Sequence, residues 1–183
     1  MKMVMFVMLG LVTVGVSGCG GVNRSLAKGE VADVWSKVSD KETVRVRGIG
    51  AVAQDAGGTT QRRGLSRNAA LVAARYEALA LIKGVTVRGG LTVGKLMEKD
   101  SHIQEVANRI INGFEEVQTE WAKDDGCVVL LELPRSKLEK LLSETAAYES
   151  SDAYRVSLDQ QIGQSEERQT AQRAKFPGMA ATQ

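Results

Sequence analysis

The chain has 183 residues, a formal net charge of +2 and an aromatic content of only 4%. A charge this close to neutral gives no reason to expect a nucleic acid or an acidic partner. So few aromatic rings also offer little for base stacking or for a carbohydrate platform. The length suits one domain with room for tails.

The first residues have the pattern of a targeting segment. Lys2 supplies a short positive start, and Met3–Val16 form an apolar stretch that is too short to span a membrane. The tetrad Val16-Ser17-Gly18-Cys19 then matches the lipobox of bacterial lipoprotein precursors. The alternative is an ordinary cleaved signal that happens to end near a cysteine.

In lipoprotein precursors the signal peptidase cuts before the cysteine once its sulfur bears diacylglycerol, so the predicted cleavage lies between Gly18 and Cys19. One acyl chain gives only marginal membrane binding, whereas two or three anchor a protein stably. Gly20 follows, not the aspartate that typically retains such proteins in the inner membrane. We therefore expect a lipid anchor on the periplasmic face of the outer membrane.

The sequence predicts four segments along the chain. Residues 1–18 are the signal peptide, and 19–42 are a lipidated tether with a short helix within Gly29–Val38. Residues 43–148 are an α+β domain, and 149–183 are a polar C-terminal helix followed by a disordered tail from Phe176. The helix over Arg155–Lys175 has only Val156, Leu158 and Ile162 as apolar anchors, which is typical of a helix that packs on a partner or frays.

The domain begins with a strand and a helix. Thr43–Ala53 alternates apolar and basic residues and predicts a strand with one wet face. Gly48 and Gly50 indicate a place where side chains would obstruct a close neighbour, or else a bulge. A loop from Gln54 to Gly64 is expected, followed by a helix over Arg67–Lys83. Ser66 is its predicted cap, Gly84 its stop, and its small alanines allow close approach to a sheet.

The remaining elements alternate in the same way. Val85–Arg88 predicts a strand, and Gly89–Lys99 predicts either its extension or a loop. The second half predicts a helix that begins at Asp100 or Ser101 and ends at Gly113, strands over Phe114–Trp121 and Cys127–Leu133 joined by an Asp124-Asp125-Gly126 turn, and a third helix after Pro134. This order predicts an α+β fold, a small and mainly antiparallel sheet with helices packed on one face, plus the C-terminal helix.

Gly89–Leu96 satisfies the glycine, four residues, Gly-Lys core of a phosphate-binding loop. The serine or threonine that would ligate magnesium is replaced by Leu96, however, and no helix of useful length is expected before Asp100. Gly48-Ile49-Gly50 lacks the third glycine of a dinucleotide fingerprint. We interpret both as chance matches and expect no cofactor.

Other candidate pairs also lack the context that chemistry requires. Ser25 and Lys28 have the spacing of an acylation pair but fall in the tether. His102 is the only histidine, so no zinc site is expected. A dyad with Cys127 would need a strand-centre thiol beside a helix start, and we expect that thiol to be buried and inert. We predict no catalytic residue, no metal site and no small-molecule substrate.

Several segments together resemble the twenty-kilodalton bacterial lipoprotein family. They are Gly48–Ala51, the helix Ala69–Ala80, Ile82–Val85, Val106–Gly113, Val117–Trp121 and Asp125–Val129, within Val44–Leu133. The family includes flagellar P-type lipoproteins that form outer-membrane rings or disks around the flagellar motor. The resemblance implies a structural protomer that self-associates, and not an enzyme. The alternative is a non-flagellar scaffold that contacts peptidoglycan or another envelope protein.

Overall fold

A computed structural model describes residues 32–52, 57–145 and 152–176 of the chain. Within them lie the helices α1 (Ala32–Ser36), α2 (Thr59–Gly84), α3 (Val93–Met97), α4 (Ser101–Asn112), α5 (Arg135–Ser143) and α6 (Asp152–Ala174). The strands are β1 (Thr43–Gly50), β2 (Glu115–Trp121) and β3 (Cys127–Pro134). The predicted signal peptide, the tether up to residue 31 and the tail beyond Phe176 lie outside the described residues.

The three strands form one antiparallel sheet in the order β1-β3-β2. Thr43 of β1 lies opposite Pro134, and Gly50 lies opposite Cys127 at the other end of β3. Trp121 of β2 also pairs with Cys127, and a register shift between Glu116 and Gln118 leaves one extra residue on the β2 side. The predicted α+β class with a small antiparallel sheet is confirmed.

β1 and α2 meet backbone to backbone at two glycines. A Cβ atom at Gly48 would overlap the carbonyl oxygen of Ala70, and one at Gly50 would overlap the carbonyl oxygen of Ser66. On the helix side every fourth residue is small and fully buried: Ser66, Ala70, Ala74 and Ala78. The glycine pair and the alanine-rich helix therefore form one close contact, as their composition predicts.

The main core lies between this face of the sheet and the helices. β1 and β3 contribute alternate residues, including Val46 and Leu131, while α4 contributes Ile110 and α5 contributes Leu138. Burial of these side chains supplies the apolar contribution to stability at about 25 cal/mol per Å². The alternation of apolar and basic residues on β1 thus places its valines in the core, as the sequence predicts.

The C-terminal helix packs on this same core and needs no second protein to bury its apolar side. Tyr154, Leu158 and Ile162 of α6 are at most 7% exposed and belong to the core cluster. The interpretation that the helix packs on a partner or frays is therefore wrong, and Val156, expected as an anchor, is 67% exposed. The three buried residues are four apart, so they lie on one side of α6.

The opposite face of the sheet is covered by a smaller cluster. Val34 of α1 packs there against Ala122, Val128 and Leu130, with Trp35 and Ile49 partly buried beside them. α1 lies within Gly29–Val38, where the sequence predicts a short helix, and ends at Ser36. The sheet is thus apolar on both sides at its centre, which explains the nearly continuous apolar run in β3.

The start of α2 differs from the prediction. The helix begins at Thr59, eight residues before Arg67, inside the segment expected to be a loop. Ser66 is consequently not a cap but an interior residue, whose hydroxyl donates to the carbonyl oxygens of Arg63 and Asp125. Tertiary contacts to the β2–β3 turn stabilise these first turns, and such contacts leave no local cap signal.

The segment after α2 also differs. Val85–Arg88 was predicted as a strand, but only an isolated antiparallel bridge joins Thr86 to Thr92. Between them Gly89 and Gly90 both have a φ of 72°, the left-handed region that glycine adopts readily. The chain therefore turns back at once, Val85 and Val93 enter the core, and the expected strand never reaches the sheet.

The later elements agree with the sequence. α4 begins after Asp100, whose side chain accepts from the His102 amide, and it ends at Gly113. The β2–β3 hairpin and its Asp-Gly turn are confirmed, as is the helix that follows Pro134. These are the segments in which local signals and tertiary packing favour the same structure.

The close contact of β1 and α2 predicts a large effect of one methyl group. Gly48→Ala should lower the free energy of unfolding by about 1–3 kcal/mol or more, because the new Cβ meets the α2 backbone, which cannot give way as a side chain can. Gly64→Ala is the matched control, since its Cβ would meet nothing and alanine favours a helix. Urea denaturation of both variants measures the difference. Equal stabilities would contradict the account.

Candidate functional site

The predicted chemical site of the chain lies at its beginning. Gly18 and Cys19, the residues of predicted cleavage and lipidation, fall outside the described residues, so the anchor stays a prediction. Among residues 32–52, 57–145 and 152–176, no helix has the length and apolar character to cross a bilayer. The same ranges contain no group of three or more His, Cys, Asp or Glu side chains suited to a metal ion.

The glycine-lysine segment after α2 caps a short helix. The Lys95 amide donates to Thr92 Oγ1, at 3.4 Å, and α3 that follows has only five residues. Gly89 and Gly90, which precede it, turn the chain through the left-handed region at a φ of 72°. The residues that match a phosphate-loop core are thus used for local turn and cap geometry.

His102 and Cys127 occupy different environments. His102 is exposed at the start of α4, whereas Cys127 is fully buried as the first residue of β3. Burial raises the pKa of the Cys127 thiol to about 12, so very little of the nucleophilic thiolate is present at neutral pH. The burial expected for this cysteine is confirmed, and its inertness stays a prediction.

Asp125 ties the β2–β3 turn to the beginning of α2. Its carboxylate accepts from the guanidinium groups of Arg62 and Arg63 at 2.9 Å each, and its carbonyl oxygen accepts from Ser66. Hydrogen bonds from Arg63 and Arg62 hold the pKa of Asp125 below its usual value. Asp125 also has a φ of 65°, a conformation that aspartate and asparagine tolerate better than most residues.

Arg47 joins three elements on the second face of the sheet. The residue is 3% exposed, and its guanidinium donates to the carbonyl oxygen of Val34 and to the side chain of Gln169 on α6. The ring of Trp35 lies 5.6 Å from the guanidinium carbon. Burial lowers the pKa of Arg47. The predicted alternation thus places this arginine correctly on the second face, but that face is covered and not wet.

Side chains occupy the outer edge of β1. The Arg45 amide donates to Ser39 Oγ at 2.9 Å, and the Arg47 amide donates to Gln169 Oε1 at 3.1 Å. These two strand amides are therefore satisfied without another strand. An additional β-strand could pair at this edge only by displacing α6 and the Ser39 segment.

The other edge strand, β2, is acidic and irregular. Glu115, Glu116 and Val117 are exposed, and the register shift lies among them. A bulge and like charges are both common devices that disfavour pairing with a second copy of the same strand. Neither edge of the sheet therefore favours growth of the sheet by self-association.

The outward side of α2 carries three of the four large apolar side chains that are exposed on the described helices. Leu65 is 43% exposed, Val72 is 53% exposed and Tyr76 is 68% exposed. With the exposed Ala69 between them, they follow the spacing 4-3-4 that puts residues on one helix face. We call these four residues the α2 ridge. The sequence analysis missed this face because the predicted helix begins only at Arg67, which leaves Leu65 outside it.

Comparisons of the chain with protein-family models, with curated proteins and with solved structures found no match. Function is therefore inferred from the lipobox, from the resemblance of the sequence segments and from the surfaces described above.

The arginine clamp on Asp125 predicts a dependence of stability on pH. Because the folded pKa is lowered, the contribution of Asp125 to stability is present above the unfolded value of about 3.9 and is lost as the pH falls through the folded pKa. Asp125→Asn keeps a residue that tolerates the turn but removes this titration. The gap in urea midpoint between wild type and variant should narrow from pH 7 to pH 3. A gap that widens would contradict this sign.

The buried thiol predicts slow chemical labelling. In the folded chain with Cys19→Ser, iodoacetamide at pH 8 should leave Cys127 unmodified, since the thiol is shielded and its pKa is raised to about 12. Denaturation in urea should restore rapid labelling, read by mass spectrometry. Rapid labelling of the folded chain would show that this end of β3 opens.

Proposed function

We propose that this chain is a structural lipoprotein, anchored through Cys19 at the periplasmic face of the outer membrane, that self-associates into a ring or disk supporting the flagellar motor. The observation that carries the proposal is the lipobox Val16–Cys19 at the end of an apolar leader. Position, small residues and cysteine coincide there as export and lipidation require.

The surface of the described domain supports an assembly role. A protein–protein contact needs exposed apolar area, and the α2 ridge supplies it on a helix that is fixed rigidly against the sheet. Anchoring confines the copies to one plane and raises their effective concentration. Contacts too weak to form in dilute solution then suffice for lateral assembly.

The flagellar setting rests on the sequence resemblance. Its segments coincide with β1, α2, α4, β2 and β3, the elements around the main core. A protomer of this kind contributes shape and attachment, and its chemistry consists of the thioether at Cys19. Electron cryotomography of the envelope with and without the gene tests this setting. A motor-associated ring that persists unchanged in the deletion strain, with normal motility, would overturn the proposal.

A different location of the protein would favour an envelope scaffold. If the lipoprotein is retained by isolated cell wall and no density at the motor changes, contact with peptidoglycan or another envelope protein replaces the flagellar role. Cross-linking of the acylated protein in its own membrane separates these outcomes further, because a ring protomer yields ladders of identical chains.

The lipid anchor predicts a separable phenotype. Cys19→Ser should abolish incorporation of labelled palmitate and move the protein out of the outer-membrane fraction. The thermal unfolding of the variant domain should match that of the acylated wild type, because Cys19 precedes every described element. Ser25→Ala, in the predicted tether and outside the lipobox, is the control. Palmitate incorporation that survives Cys19→Ser would contradict the assignment.

A further inference from the structure

The first helix and the last helix of the described chain meet at the side chain of Trp35. The guanidinium carbons of Arg47 and Arg173 lie 5.6 Å and 5.2 Å from the centre of its ring, within the range of a cation–π contact. Arg173 belongs to the last turn of α6, three residues before Phe176. The beginning of α1 and the end of α6 are therefore held side by side.

This junction lies at the end of the sheet that carries the β2–β3 turn. Val34 of α1 packs against Ala122, where the turn begins, and the first turns of α2 are tied to Asp125 in the same turn. We call this region the hairpin end: the start of α1, the turn Ala122–Gly126, the first turns of α2 and the last turn of α6 with Lys175 and Phe176. The opposite end of the sheet holds Thr43, Pro134 and the start of α5.

The hairpin end has an excess of positive side chains. Lys123 and Lys175 are exposed there, and two arginines share the single carboxylate of Asp125, so that group keeps one net positive charge. Its described side chains comprise five basic groups, Arg62, Arg63, Lys123, Arg173 and Lys175, and two carboxylates, Asp124 and Asp125. Farther along the strands the buried Arg47 and the buried Glu120 offset each other in charge.

The opposite end of the sheet is closer to neutral, because carboxylates pair with its basic side chains. These pairs are Arg45 with Asp40 and Glu132, Arg135 with Asp159, and Lys137 with Glu115. The sequence that adjoins the hairpin end does not reverse the difference, since Arg24 and Lys28 balance Glu30 and Asp33 in charge, and Asp55 removes a single charge from the excess. An anionic surface is therefore attracted more strongly to the hairpin end.

We propose that the hairpin end faces the bilayer and that its basic side chains contact anionic phospholipid headgroups. The inference rests on the proposed lipid anchor and adds the orientation of the domain to it. Twelve residues separate Cys19 from Ala32, and a fully extended chain between them spans at most about 45 Å. The bilayer thus lies near the end at which α1 starts, where lysine and arginine side chains are attracted to negative lipids within about a Debye length.

An exposed aromatic ring adds an apolar contribution to this contact. Phe176 is 36% exposed directly after Lys175, and its amide donates to the carbonyl oxygen of Arg173, which keeps it at the end of α6. Aromatic and basic side chains together are typical of protein surfaces that enter the headgroup region. The eight residues of β1, at about 3.3 Å each, place the opposite end of the sheet roughly 25 Å farther from the lipid.

Fluorescence quenching by labelled lipids tests this orientation. The acylated full-length protein carries one dye, attached through Ala174→Cys at the hairpin end or through Ser136→Cys at the opposite end, both exposed positions. It is reconstituted in vesicles of phosphatidylethanolamine and phosphatidylglycerol that contain a phospholipid with a nitroxide on its headgroup. We expect at least twofold quenching of the dye at position 174 and little at position 136, because the nitroxide quenches only at short range. Equal quenching at both positions, or stronger quenching at position 136, would overturn the orientation.

Charge reversal separates headgroup contact from tethering alone. Lys123→Glu should lower the quenching at position 174 at least twofold, whereas Lys41→Glu, the same change at an exposed site of the opposite end, should leave it unaltered. Circular dichroism should show both variants folded. Undiminished quenching in Lys123→Glu would overturn the headgroup contact.

The acylation state of the wild type distinguishes this inference from the proposed function. If the wild-type protein is acylated and bound to vesicles but the dye at position 136 is quenched as strongly as the dye at position 174, the anchor stands and only the orientation is wrong. If mass spectrometry finds no acyl chain on Cys19 and the protein does not bind vesicles, the proposed anchor fails and the orientation fails with it.

Discussion

The contact between the backbones of β1 and α2 constrains the rest of the molecule. Gly48 and Gly50 have no Cβ, so a 26-residue helix lies directly on the sheet along its small residues. A helix held this closely cannot rotate about its own axis without forcing a larger residue against the strand. Which side chains of α2 enter the core and which face solvent is therefore decided by two glycines.

The beginning of α2 is fixed by a different kind of interaction. Asp125 in the β2–β3 turn accepts hydrogen bonds from Arg62 and Arg63, while Ser66 donates to the carbonyl oxygen of the same turn residue. Ion pairs with partly exposed arginines contribute little individually. Here three donors converge on one residue, so the turn and the helix orient each other. Both arginines are also paired with Asp125 and are therefore not free surface charges.

α6 gives the sheet a boundary. Gln169 accepts from the main chain of Arg47 and from its guanidinium, and Tyr154, Leu158 and Ile162 complete the core. One polar residue of this helix thus satisfies the edge strand β1. With β1 covered and β2 acidic, the outer side of α2 is an exposed apolar face of the described domain. In the proposed function, the lipid anchor attaches the protein to the membrane and this face of α2 is available for contact with another protein.

The sequence by itself determined the elements whose signals are local. The Asp-Gly turn, the caps of α4, the proline before α5, and the glycines that meet alanines depend on neighbouring residues or on side-chain size alone, and the lipobox is a linear motif. Tertiary structure decided the rest. The first turns of α2 form because a distant aspartate holds them, Val85–Arg88 fails to join the sheet because two glycines turn the chain back, and α6 is buried through residues four apart on an otherwise polar helix. Such outcomes depend on contacts between residues far apart in the chain, and hydrophobic periodicity does not show which distant residues will meet.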